Sequence, residues 1–152
     1  MYDDLLVPTD GSDGSDAAIK HASTIARAFD ATVHVLSVVD TRNRFESPSA
    51  GVAAEAWVDA ERERAEEAVE RVATAFPPGI DVERTIREGT PVSEIIAHAD
   101  ATGADAVVMA THGRSGLDRY LIGSVTEKVV RSSDVPVLTV SQREEPGDPS
   151  ES

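Results

Sequence analysis

Two glycine-bearing stretches hold most of the chemical possibility in this sequence. In the first, Pro8, Thr9, Asp10, Gly11 and Ser12 follow a short apolar run; in the second, Met109 and Ala110 lead through His112, Gly113 and Arg114 to Gly123, Ser124, Val125 and Thr126. The second stretch reads as a buried strand, a Gly-containing loop and then a helix opened at Gly123-Ser124. The first N–H groups of a helix lack intrahelical partners and sit at the positive end of its dipole, and glycine lets a phosphate approach them without a Cβ in the way. That is anion-binding chemistry. Ser124 and Glu127 stand at capping-box spacing, which predicts Ser124 as the helix cap.

Competing chemistries lack their residues. No Lys follows any glycine, so the phosphate-binding Gly-x4-Gly-Lys-Ser/Thr motif is missing, and so is the dinucleotide pattern Gly-x-Gly-x-x-Gly. A phosphate-receiver domain would need a phospho-acceptor Asp after the central strand and a Lys after the last one, and neither position is so occupied. His21, His34, His98 and His112 never fall at metal-ligand spacing; the first three read as structural residues inside elements, and His112 alone lies in the candidate site. The absence of Cys excludes disulfides, thiol catalysis and thiolate metal sites, and fits a reducing compartment. Asp10 and His112 are the only titratable pair expected to share a cleft, and no nucleophile paired with a base can be assembled.

The elements that position these residues can be read in order. Leu5, Leu6 and Val7 make a first strand, and Ala18, Ala22, Ile25, Ala26 and Phe29 recur at helical spacing behind Asp13, Ser15 and Asp16. Residues 32–39 form a second apolar run ending at Asp40, and the separation of the two runs fits a parallel βαβ crossover. Residues 41–53 have no period and read as a surface loop. A long helix follows over 54–76, with Trp57, Ala60, Ala65, Ala68, Val72 and Phe76 as its buried stripe and a run of Glu and Arg as its solvated face. Residues 80–87 alternate as a half-exposed strand near an edge would, and Thr90 with Pro91 starts another helix, stopped by Gly103. Residues 106–109 are expected near the sheet centre, and 135–140 form the last strand. Residues 142–152, acidic and without a large apolar side chain, read as a disordered tail after a single domain spanning 1–141.

Five strands alternating with four helices predict an α/β fold, a doubly wound five-stranded parallel sheet with helices on both faces. Ligands in such sheets bind beyond the carboxyl ends of the strands, so the loop at 8–12, the segment Val38 to Asp40 and the loop after Met109 should converge.

The formal charge is −14, with only Lys20 and Lys128 as lysines. Such a surface repels nucleic acid and anionic membrane, so neither is an expected partner. No apolar run approaches the roughly 18 residues of a membrane span, and the opening Met-Tyr-Asp-Asp carries no basic leader signature, which predicts a cytoplasmic protein. Acid excess with scarce Lys resembles proteins of halophilic organisms, whose molar cytoplasmic salt shortens the Debye length to about 3 Å and screens the self-repulsion.

Taken together, Pro8-Thr9-Asp10-Gly11-Ser12, His112-Gly113, nine residues, Gly123-Ser124, and Pro136-Val137-Leu138 resemble the universal stress protein family over essentially the whole chain to about residue 141. The resemblance implies a Rossmann-like, adenine nucleotide alpha hydrolase-like fold that dimerises through its last strand, residues 135–140. One branch of the family binds ATP through Gly-x-x-Gly, nine residues, and Gly-Ser/Thr, and this chain departs from it in placing Ala110 at the first glycine. Carried over, Gly113, Gly123, Ser124, Val125 and Thr126 would hold the phosphates, with Arg114 nearby. Asp10, flanked by Thr9, would face the ribose or a phosphate-bound Mg2+, and Pro8, Val38 and Met109 would contain the adenine. Plainer roles exist for the same residues: turn glycines at Gly113 and Gly116, an unliganded helix cap at Gly123-Ser124, a helix-start acid at Asp10, surface cations at Arg114 and Arg119. The resemblance therefore implies an ATP-binding homodimeric stress-response module. The alternatives are a nucleotide-free interaction subunit using the dimer and the loop at 41–53, or a slow ATP hydrolase.

Overall fold

A computed structural model describes residues 1–11, 15–42, 52–111 and 123–141, with residues 52–54 described in backbone only. The expected loop at 41–53 and the tail at 142–152 therefore fall largely outside the described residues, as do Gly113, Arg114 and His112 of the candidate site. The elements run β1 Asp4–Pro8, α1 Ser15–Phe29, β2 Thr32–Asp40, α2 Val52–Ala75, β3 Val82–Gly89, α3 Pro91–Thr102, β4 Ala106–Ala110, α4 Ser124–Ser132 and β5 Val137–Val140.

All five strands pair in parallel, in the order β3-β2-β1-β4-β5. The chain winds outward from β1 to β3 and then crosses back to lay β4 on the other side of β1, so the winding reverses between β1 and β4. Strand alternation divides the core between two faces. Leu5, Val7, Val33 and Val35 pack with the small residues Ala18, Ala22 and Ala26 of α1 and with Val69 and Val72 of α2. Leu6, Leu36, Val107 and Met109 pack beneath Ile95 and Ala99 of α3 and Val129 of α4. Leu5, Leu6 and Leu36 are wholly buried, each worth about 1.5–3 kcal/mol over exposure.

Several local expectations change. The packed stripe of α2 passes through Ala65, Ala68, Val69, Val72, Ala73 and Phe76, whereas Ala60 is exposed. Extended back by the helical period, that stripe meets Glu61 and Val58, which puts Ala60 to one side of it. Phe29 also lies near the surface, its ring edge-on to Tyr2 at 5.0 Å between centroids. The last strand begins at Val137, not Val135. The backbone N–H of Val135 donates to Ser133 Oγ, whose hydroxyl returns a bond to the Val135 carbonyl, and Pro136 has no N–H to give a ladder.

The amino ends of the strands are tied by polar groups. Asp105 Oδ2 accepts the N–H groups of Asp3 and Asp4 at 2.7 and 3.0 Å, and these bonds hold its carboxyl below the usual range. His34 bridges Asp4 at 2.8 Å and Glu83 at 3.2 Å, and its ring meets that of His98 edge-on. His98 is buried. Its Nδ1 accepts from Arg87 at 3.4 Å, which leaves the proton of the neutral ring on Nε2, an atom with no partner. Burial first, then the charge of Arg87 and the neighbouring His34, lowers its pKa, with Glu83 opposing. His34 and His98 are thus structural, as expected, whereas His21 lies exposed on α1.

Candidate functional site

The site takes shape where β1 and β4 lie side by side. Leu5 pairs with Ala106 and Leu6 with Val107, and the same register carried forward sets Pro8 level with Met109 at the carboxyl end of the sheet. From Pro8 the chain turns sharply. Thr9 keeps one ladder bond, its N–H to the Leu36 carbonyl at 2.8 Å, while its hydroxyl accepts the Gly11 N–H at 3.0 Å and meets Ser15 Oγ at 2.7 Å. Gly11 has φ +82°, a left-handed conformation that a side chain resists, and a Cβ there would sit 3.1 Å from Ala68 Cβ on α2. Asp10 is exposed at the tip of this turn.

Across from it, β4 ends at Ala110 and α4 begins at Ser124. The two are joined at the base of the intervening segment: Gly123 N–H donates to the Thr111 carbonyl at 2.6 Å, and Thr111 N–H to Val140 at 3.0 Å. Thr126 is buried and its hydroxyl donates to the Ala110 carbonyl at 2.8 Å. These bonds fix the start of α4 against the end of β4.

The helix cap differs from the expectation. Gly123, in an extended conformation with φ −58° and ψ 149°, is the N-cap, and Ser124 is the first helical residue, so Ser124 and Glu127 form no capping box. Gly123 has no side chain with which to cap the helix, and the Ser124 side chain is exposed. The first-turn N–H groups of Ser124, Val125 and Thr126 thus lie in the part of a helix that lacks intrahelical acceptors. Such a start, pinned from below and with glycine at the cap position, is suited to receive an anion.

The other residues expected at the site divide by placement. Pro8, Thr9, Asp10, Ala110, Gly123, Ser124, Val125 and Thr126 lie at the carboxyl end of the sheet, and Val38 lies half-buried near the end of β2. Met109 is in the core with Leu6 and Val129, so what it can offer a ligand is main chain. Gly113 and Arg114 lie outside the described residues. Two contributors were not read from the sequence. Ser15 braces Thr9, and Arg71 of α2 donates to the Gly11 carbonyl. At the β2 end, Arg42 binds Asp40 at 2.6 and 2.9 Å and holds its carboxyl below the usual range. No group of three or more His, Asp or Glu among the described residues is arranged to hold a metal ion.

A reversal of winding between β1 and β4, with a glycine turn on one side and a glycine-led helix start on the other, defines a doubly wound α/β protein with its switch point at the carboxyl ends of these strands. The sequence profile of the universal stress protein family matches residues 1–141, and the chain belongs to that family. It is 40% identical over 147 residues to universal stress protein MJ0531 of Methanocaldococcus jannaschii, covering 93% of this chain and 84% of that one. The solved structure of protein MJ0577 superposes with a TM-score of 0.82 at 30% identity, covering 94% and 98% of the two chains. A universal stress protein solved in complex with cAMP is similar at 29% identity and a TM-score of 0.58, covering 92% and 97%. Among the described residues no helix is long and apolar enough to cross a membrane.

Proposed function

We propose that this protein binds an adenine nucleotide, ATP in the fullest form, between the β1 turn and the start of α4, and works as a nucleotide-dependent module of the stress response. The observation that carries this is the start of α4: Thr126 is bonded to Ala110 of β4, Gly123 to Thr111 just beyond it, and the cap position is a glycine, with no side chain of its own over the first turn. An adenine nucleotide is also what the similar cAMP complex holds. The phosphates would meet the N–H groups of Ser124 to Thr126 together with Gly113 and Arg114, and Asp10 would meet the ribose or a phosphate-bound Mg2+. Ala110 narrows the approach by one methyl group, the smallest side chain that can stand for glycine.

The test is a melting experiment in molar KCl. A nucleotide at 100 times its Kd adds about 2.7 kcal/mol of stability. ATP with Mg2+, or cAMP, should raise Tm in the wild type and not in Gly123→Val. No shift with any adenine nucleotide in millimolar excess would refute the reading, and extraction of nucleotide from the purified protein would name the natural occupant.

The protein is further proposed to be a homodimer through β5. That strand is an edge, and Leu138 on it and Val130 on the neighbouring α4 are 39% and 46% exposed. Light scattering that found only a 16.1 kDa species would overturn it. The charge of −14 supports a salt-rich cytoplasm as the working medium, and Tm should then rise as KCl is raised toward molar concentration.

A further inference from the structure

The β1 turn is held from a direction that the sheet does not supply. Thr9 and Ser15 brace it from within, but the carbonyl of Gly11 points away to α2, where the Arg71 guanidinium donates to it. One turn earlier on the same helix, Ala68 lies so near Gly11 that a Cβ added there would press on it at 3.1 Å. Arg71 and Ala68 stand three apart and share a helix face, so the contact and the bond form one seat for the turn. Asp10 lies between Thr9, fixed by its N–H to Leu36, and Gly11, fixed by both its N–H and its carbonyl. Its backbone is therefore clamped on either side while its carboxylate is exposed at the end of the sheet.

We infer that Arg71 is a positioning residue for the nucleotide site, acting through the Gly11 carbonyl to fix where Asp10 is presented. This rests on the nucleotide reading given above. Arg71 acts at the hinge of the turn and not on the phosphates themselves, so its effect should depend on Asp10 and be indifferent to phosphate number. Helix α2 thereby becomes part of the binding apparatus. Burying or displacing the exposed face of α2 would alter nucleotide affinity by the same route.

The experiment is a double-mutant cycle read by nucleotide titration. Arg71→Met should weaken ATP and AMP alike by roughly three- to tenfold, the span of one hydrogen bond. In the Asp10→Ala background the same substitution should change affinity by less than about twofold. Arg71→Lys, which keeps a donor and the charge, should recover part of the loss. Hydrogen exchange at the Gly11 amide should quicken in Arg71→Met without nucleotide, while amides of the β1–β2 ladder keep their protection and show the fold intact. A loss that grows from AMP to ATP, or persists undiminished with Asp10→Ala, would overturn the assignment, as would unchanged affinity in Arg71→Met. Wild-type protein that bound neither nucleotide would overturn the site reading first, and this assignment with it.

Discussion

Replacing Thr126 by Val keeps the shape of the side chain and removes one hydroxyl. That hydroxyl is buried, and it donates to the Ala110 carbonyl at 2.8 Å, joining the first turn of α4 to the last residue of β4. A hydrogen bond of this kind contributes about 0.5–1.5 kcal/mol net, and stranding a partly buried carbonyl adds to the loss, so Thr126→Val should cost about 1–2 kcal/mol. For a chain of this size each kcal/mol moves Tm by about 2–4 °C, which gives a drop of about 2–8 °C. Urea unfolding in molar KCl, followed by far-ultraviolet circular dichroism, would show a lower midpoint with an unchanged slope. Nucleotide affinity should fall as well, because the freed helix start no longer holds its N–H groups at one place. A variant as stable as the wild type would refute the reasoning: the start of α4 would then be held by packing alone, and the case for a pre-set anion site would lose its main support.

Three further outcomes are expected. Gly11→Ala should lose about 1–2 kcal/mol in the same unfolding assay, since Ala resists φ +82° and its methyl would press on Ala68. Ala110→Gly should tighten nucleotide binding in titration while lowering stability by about 0.5–1 kcal/mol, because it widens the approach and frees the strand end. His98 is held neutral, with its pKa lowered from an ordinary 6.5, so the unfolded chain takes up a proton first as pH falls. The stability this contributes is whole above about pH 6.5 and is lost as pH drops through the lowered value, at up to about 1.4 kcal/mol per pH unit. Arg87, Glu94, Glu83, Asp4 and His34 surround or adjoin the ring, and His98→Leu should flatten that slope. An unchanged pH profile would show that the acid sensitivity lies elsewhere.

The element order was legible because β-branched runs and helical stripes in this chain seldom conflict. Leu5 to Val7 and Ala106 to Met109 are apolar on both faces and proved to be adjacent interior strands. The sheet edge at β3 showed itself through the alternation around Val82 and Ile86. What failed was local phase and local competition. Ala60 is as apolar as Ala65, and only packing selects the residue that faces the sheet. Ser124 has the right side chain for a cap, but Gly123, tied to Thr111, takes the cap position first. The clamp on Gly11 was invisible for another reason: Arg71 lies in a charge run that reads as a solvated face, and nothing local marks a guanidinium that reaches a carbonyl 60 residues away.

The pairing of β1 with β4 also bears on how the chain reaches this structure. Leu5 must find Ala106, and Asp105 must find the amides of Asp3 and Asp4, 102 and 101 residues away. Contacts so distant form late, since a large loop must close before they return any stability. During synthesis the first 100 residues can build β1, β2 and β3 with their helices, and for that interval β1 is an open edge, wholly apolar from Leu5 to Val7. Arrival of β4 covers it, so the strand that completes the switch point is also the one that closes the open edge of β1.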